Sequence, residues 1–92
     1  MIWIIGGTKD SRIFLEKFAS ADKNIVVSTA TEYGGKLLEG LPVKVVSKRL
    51  PLELMREFVE KNSIKTIVDI SHPYAFEVSK NAMKVAEEFS IA

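Results

Sequence analysis

The chain's single histidine, His72, sits in the run DISHPYA, Asp69 to Ala75, with Pro73 and Tyr74 directly after it. Near neutral pH an imidazole can donate a hydrogen bond or a proton, and a phenol can do the same or stack on a planar ligand. Pro73 restrains His72 toward extended geometry, which would hold both rings at a cleft. The competing reading is a strand-ending turn, in which Asp69 caps the following helix or bonds to loop amides and Tyr74 is simply packed. Residue type leaves the two open. A metal site is disfavoured, because one histidine without any cysteine supplies too few good ligands.

A glycine pair offers a different chemistry. The run IIGGTKDSR places Gly6 and Gly7 between an apolar block and the start of a helical pattern, where exposed backbone N–H groups can hold phosphate. Thr8 and Ser11 add hydroxyl donors, and Arg12 adds charge at the same mouth. The letters depart from G-x-G-x-x-G, since Thr8 stands for the second glycine and Ser11 for the third, and the Gly-Lys-Ser/Thr ending of an NTPase loop is absent. A turn with Thr8 or Asp10 capping the helix explains the same residues without a ligand.

A ribose-binding acid normally lies about twenty residues beyond such glycines. There the chain reads Ser28, Thr29, Ala30, Thr31. Neutral hydroxyls tolerate a ribose 2′-phosphate better than an acid does, and Lys36 follows nearby, so the pattern favours NADP over NAD. Glu32 is the acid able to turn toward a ribose instead, and β propensity alone also accounts for the hydroxyls.

These runs need a frame that brings them together. Ile2 to Ile5 is a short apolar block closed by Gly6 and Gly7, as in a strand buried on both faces. Apolar residues at helical spacing predict an amphipathic helix from Asp10 to Ala21, with Ile13, Phe14, Leu15, Phe18 and Ala21 inward. Ile25 to Thr31 reads as a second strand. The three glycines and proline of EYGGKLLEGLP predict a loop with at most a helical turn around Lys36 to Glu39. Val43 to Ser47 reads as a strand, and Pro51 as an early residue of a helix reaching about Lys61. Lys65 to Ile70 repeats the buried-strand pattern, and a further helix is expected from about Ala75 to Phe89. The closing SIA resembles the start of another strand.

Strands alternating with helices imply an α/β fold, doubly wound, with a mostly parallel Rossmann-like sheet and right-handed crossovers. Ligands of such sheets gather beyond the carboxyl ends of the strands. GGT, STAT and DISHPYA all finish or follow strands, so all three are expected on one rim.

Composition bounds the partners. With 92 residues, 47% hydrophobic and 27% charged, the chain is expected to form one globular domain, residues 1 to 92. Thirteen Lys and Arg against twelve Asp and Glu give a net charge of +1, too little for a field that holds nucleic acid or an anionic membrane. Without cysteine, or an apolar run of spanning length, the expected compartment is the cytoplasm.

In this order, GGTKDSR, VVSTATEYGG and DISHPYAFEVSKNA resemble the precorrin-6A reductase family and its cobalt-precorrin-6A counterpart, HPYA followed by SKNA being the most specific match. The resemblance implies an NADPH-dependent or NADH-dependent reductase that delivers hydride to a double bond of a corrin-precursor macrocycle in vitamin B12 biosynthesis. It also implies that the chain is the cofactor-binding N-terminal half of a two-domain enzyme, with the C-terminal domain as partner and little turnover alone. Carried over by motif, Gly6, Gly7, Thr8, Ser11 and Arg12 belong to the phosphate mouth, and Ser28, Thr29 and Thr31 to the adenosine side. His72 and Tyr74 take the catalytic position where nicotinamide and macrocycle meet. Pro73 falls on the substrate side, and Ser79 and Asn81 either contact substrate carboxylates there or support the loop.

Other classes compete. A short-chain reductase or epimerase needs a Tyr-x-x-x-Lys pair, and Val78 stands four residues after Tyr74. A phosphoacceptor receiver is disfavoured because the first strand ends in glycines and not in magnesium-binding acids. A non-enzymatic NADP-binding sensor or regulatory module is the alternative.

Overall fold

A computed structural model describes residues 1–6, 8–19, 24–30, 32–48, 50–70 and 76–91. Strands β1 (Ile2–Ile5), β2 (Ile25–Thr29), β3 (Lys44–Ser47) and β4 (Thr66–Asp69) form one sheet in the order β3-β2-β1-β4. Every pairing is parallel, with Ile5 opposite Ser28 on one side and Asp69 on the other. Helices α1 (Lys9–Phe18), α2 (Glu32–Lys36), α3 (Leu52–Asn62) and α4 (Phe76–Glu88) alternate with the strands. The sheet is therefore of the expected doubly wound α/β kind.

Strand alternation divides the apolar residues into two layers. Trp3, Ile5 and Val26 meet Met55 and Val59 of α3 and Ala82 and Val85 of α4. Ile4, Ile25 and Val27 meet Leu15 of α1 and Leu38. Trp3 is wholly buried and its ring lies 4.8 Å from that of Phe58. The chain steps outward from β1 through β2 to β3, then returns to β4 on the far side of β1. That reversal falls between β1 and β4, and this topology places a ligand crevice beyond their carboxyl ends.

Several boundaries differ from expectation. Helix α1 stops at Phe18, because Ala19 is already extended at φ −71°, ψ 140° while its N–H still bonds the Leu15 carbonyl. The stretch taken for a loop holds α2, and its turn follows at Leu37 to Gly40. Glycine here is a packing residue: a Cβ on Gly35 would collide with Ser47 Oγ, so its absence lets α2 lie against the end of β3. Pro51 is the N-cap of α3 at φ −66°, ψ 169°, just outside the helix, and its carbonyl accepts from Met55. Strands β2, β3 and β4 are shorter than expected, the second ending at Thr29.

Of the SIA segment, Ser90 and Ile91 turn back onto α4, and Ala92 lies outside the described residues. Ser90 takes a left-handed φ of 54° and the Ile91 N–H returns to the Ala86 carbonyl, which closes α4 as a Schellman turn. Ser63 does the same for α3, with Ile64 N–H on the Val59 carbonyl. No described helix is long and apolar enough to cross a membrane.

Candidate functional site

The crevice floor is made by backbone. Gly6 N–H bonds the Ser28 carbonyl at 3.0 Å, and Ile70 N–H bonds the Ile5 carbonyl at 2.8 Å, so β1 stays paired on both sides to its last residue. A Cβ on Gly6 would lie 3.0 Å from Ser11 Cβ and 3.2 Å from Val27 Cγ1. Any larger residue here would press on Ser11 and Val27.

Thr8 then caps α1. Its Oγ1 accepts from Ser11 N–H at 3.1 Å, while Ser11 Oγ accepts from Thr8 N–H at 3.0 Å, a reciprocal capping box. Ser11 is fully buried and its hydroxyl donates to the Thr8 carbonyl at 2.6 Å. Thr8 Oγ1 in turn donates its one proton to the Ile70 carbonyl at 3.0 Å, tying the start of α1 to the end of β4. The first-turn N–H groups of Lys9 and Asp10 have no acceptor within their own helix and face its N-terminal end, the usual position for an anion.

The Arg12 side chain is engaged by other partners. Its Nη1 donates to the carbonyls of Leu37 at 2.8 Å and Glu39 at 3.0 Å, and its Nε to Glu16 at 2.8 Å. It therefore joins α1 to the turn after α2. On the neighbouring strand Ser28 faces the Trp3 layer, accepting from the indole N–H at 2.8 Å, and Thr29 faces the opposite layer, its hydroxyl donating to Ser47 Oγ at 3.3 Å. Both are buried. Ser79 of α4 donates a short hydrogen bond to Asp69 Oδ2, joining the helix to the end of β4. Asn81 lines a groove between α3 and α4, with Pro51, Glu53, Arg56 and Glu77.

Gly6, Thr8 and Ser11 are thus gathered beyond the ends of β1 and β4 with Ser28 beside them, while the Arg12 guanidinium bonds the turn after α2 and Asn81 lines the α3–α4 groove. Gly7, Thr31, His72, Pro73 and Tyr74 fall outside the described residues.

The profile of precorrin-6x reductase CbiJ/CobK matches residues 1–92, the crevice included. The chain belongs to this family. The cobalt-precorrin-6A reductase of Methanocaldococcus jannaschii is 39% identical over 89 residues, covering 96% of this chain and 36% of its own length. That of Priestia megaterium is 36% identical over 91 residues, covering 99% of this chain and 36% of its own length. A solved structure, CobK precorrin-6A reductase, is similar to 99% of this chain and 34% of its own at a TM-score of 0.76 and 19% identity, which is a likeness of fold. The chain thus spans little more than a third of the curated relatives it matches.

For this member of the precorrin-6x reductase family, sequence reasoning missed the Ile70 carbonyl, the carbonyls of Leu37 and Glu39, and Ser47. The first three are backbone atoms, without a side-chain signature. Ser47 had a signal: a hydroxyl ending a strand next to one that also ends in hydroxyls.

Proposed function

We propose that this chain supplies the nucleotide-binding part of a reductase acting on a precorrin-6A-type macrocycle in cobalamin biosynthesis. The family match across residues 1–92 carries the reading, and the crevice at the point where the strand order reverses supports it. The donor set fits a dinucleotide diphosphate. Amides of the first turn of α1, those of Lys9 and Asp10, would hold it, with Gly6 allowing close approach and Thr8 and Ser11 shaping the cap. A reduced nicotinamide supplies hydride when bound; the protein aligns donor and acceptor and excludes water.

NADPH is the proposed cofactor. The end of β2 carries Ser28 and Thr29 in place of an acid, and Lys36 is exposed on α2, which suits a ribose 2′-phosphate. On the motif match, His72 and Tyr74 orient or polarise the reactants and Pro73 shapes their approach. Ser79 supports that loop through Asp69. The remaining length found in the relatives would close over the macrocycle.

Titrating NADPH and NADH against the chain, followed by Trp3 emission, tests the cofactor. NADPH should bind more tightly. Turnover of cobalt-precorrin-6A is then compared for the chain alone and for the chain joined to the remaining segment of the Methanocaldococcus relative, and only the joined protein should reduce it. Equal activity of the two defeats the divided-site reading. Nucleotide binding without any turnover by the joined protein favours a sensor.

A further inference from the structure

We propose that Thr8 is a positioning residue, whose hydroxyl fixes the end of β4 against the start of α1 and acts through Ile70 without touching the nucleotide. This rests on the nucleotide reading above. A hydroxyl has one proton to donate, and that of Thr8 goes to the Ile70 carbonyl across 62 residues of sequence. One of its two lone pairs accepts from Ser11 N–H. Ile70 is held from both sides, its N–H by Ile5 and its carbonyl by Thr8. From there the Asp69–Ser79 bond continues the connection into α4. An anion drawn to the first-turn amides of α1 meets the same residue that sets the path of the chain leaving β4. The cap and the crevice wall are one bonded unit.

The test uses NMR of the 92-residue chain, read at the carbonyl carbon of Ile70 and the amide of Ser79. Thr8→Val keeps the shape and loses both bonds, Thr8→Ser keeps both, and Ser11→Ala weakens the capping box while leaving the Thr8–Ile70 bond. Thr8→Asp keeps a cap acceptor but cannot donate to Ile70, and serves if the valine variant does not fold. In the free protein the Ile70 signal should move in Thr8→Val and Thr8→Asp, and stay in Thr8→Ser and Ser11→Ala. On adding NADPH, the shift at Ser79 should vanish in Thr8→Val and persist in Thr8→Ser and Ser11→Ala.

An unmoved Ile70 signal in Thr8→Val, or a Ser79 shift on NADPH addition that survives in Thr8→Val, overturns the proposal. If NADPH shifts no signal in the unaltered chain, the nucleotide reading fails by itself. The free-protein signals then decide the role of Thr8.

Discussion

The carboxyl ends of β1 and β2 lie side by side and both lead into hydroxyl side chains, but these hydroxyls face different tasks. Beyond β1, Thr8 and Ser11 bond each other and Ile70, so they connect one loop to another across the crevice. On β2, Ser28 and Thr29 turn into the layers above and below the sheet, toward Trp3 and Ser47. The difference follows from where each residue falls. Strand residues alternate between faces and meet whatever packs there, whereas a residue just past the strand, at a helix cap, can reach sideways. The first rim sets the shape of the crevice, and the second ties β2 to its neighbouring strands β1 and β3.

Overpacking the first rim should have the largest effect. Gly6→Ala places a methyl group 3.0 Å from Ser11 and 3.2 Å from Val27, both buried side chains. We expect a loss of about 3 kcal/mol in urea unfolding, the upper end of the usual range for overpacked sites. An unchanged midpoint would mean that the β1 rim yields freely. On the second rim, Ser28→Ala leaves the indole N–H of Trp3 buried without its acceptor, at about 1–3 kcal/mol. Trp3 is the only tryptophan, so its emission reports the same event, and Ser28→Thr should restore both readings.

Gly35→Ala comes next, at about 1 kcal/mol, because displacing Ser47 Oγ sacrifices its bond to Thr29. Ser47→Ala in the same chain removes the collision and should recover most of that loss. If the double variant is no more stable than Gly35→Ala, the contact between α2 and β3 has been misjudged.

The frame was legible because its signals are local. Blocks such as Ile2 to Ile5, and the helical spacing of Leu54, Met55, Phe58 and Val59, state their period directly in the sequence. Helix α2 was not, since Gly34 and Gly35 read as breakers and only the approach of Ser47 shows why glycine stands there. Pro51 fits an N-cap and a first helical residue equally well, because the same φ serves both. At the site, topology made the gathering of Gly6, Thr8 and Ser11 with the end of β4 predictable. The direction of Arg12 was not, as its partners are the carbonyls of Leu37 and Glu39, which any sequence would carry.

The smallest effect sharpens the comparison by standing outside both rims. Arg56 of α3 and Glu88 of α4 are joined by hydrogen bonds of 2.9 and 3.2 Å between exposed side chains. The hydrogen bond from Arg56 holds the Glu88 carboxyl below its usual range, with the guanidinium's charge adding to it. A carboxyl depressed in the folded state stabilises above its unfolded pKa, and that contribution is lost as pH falls through the folded pKa. Glu88→Gln should therefore lower Tm slightly at pH 7 in low salt, and the gap to the unaltered chain should close toward pH 3. Added salt should shrink it at any pH, since exposed pairs are screened. Throughout, the Trp3 emission and the Ile70 signal should stay fixed, because the pair reaches neither rim. A pH-independent gap would instead mean that Glu88 acts through helix packing, and that α4 cannot serve as a reference when the two rims are compared.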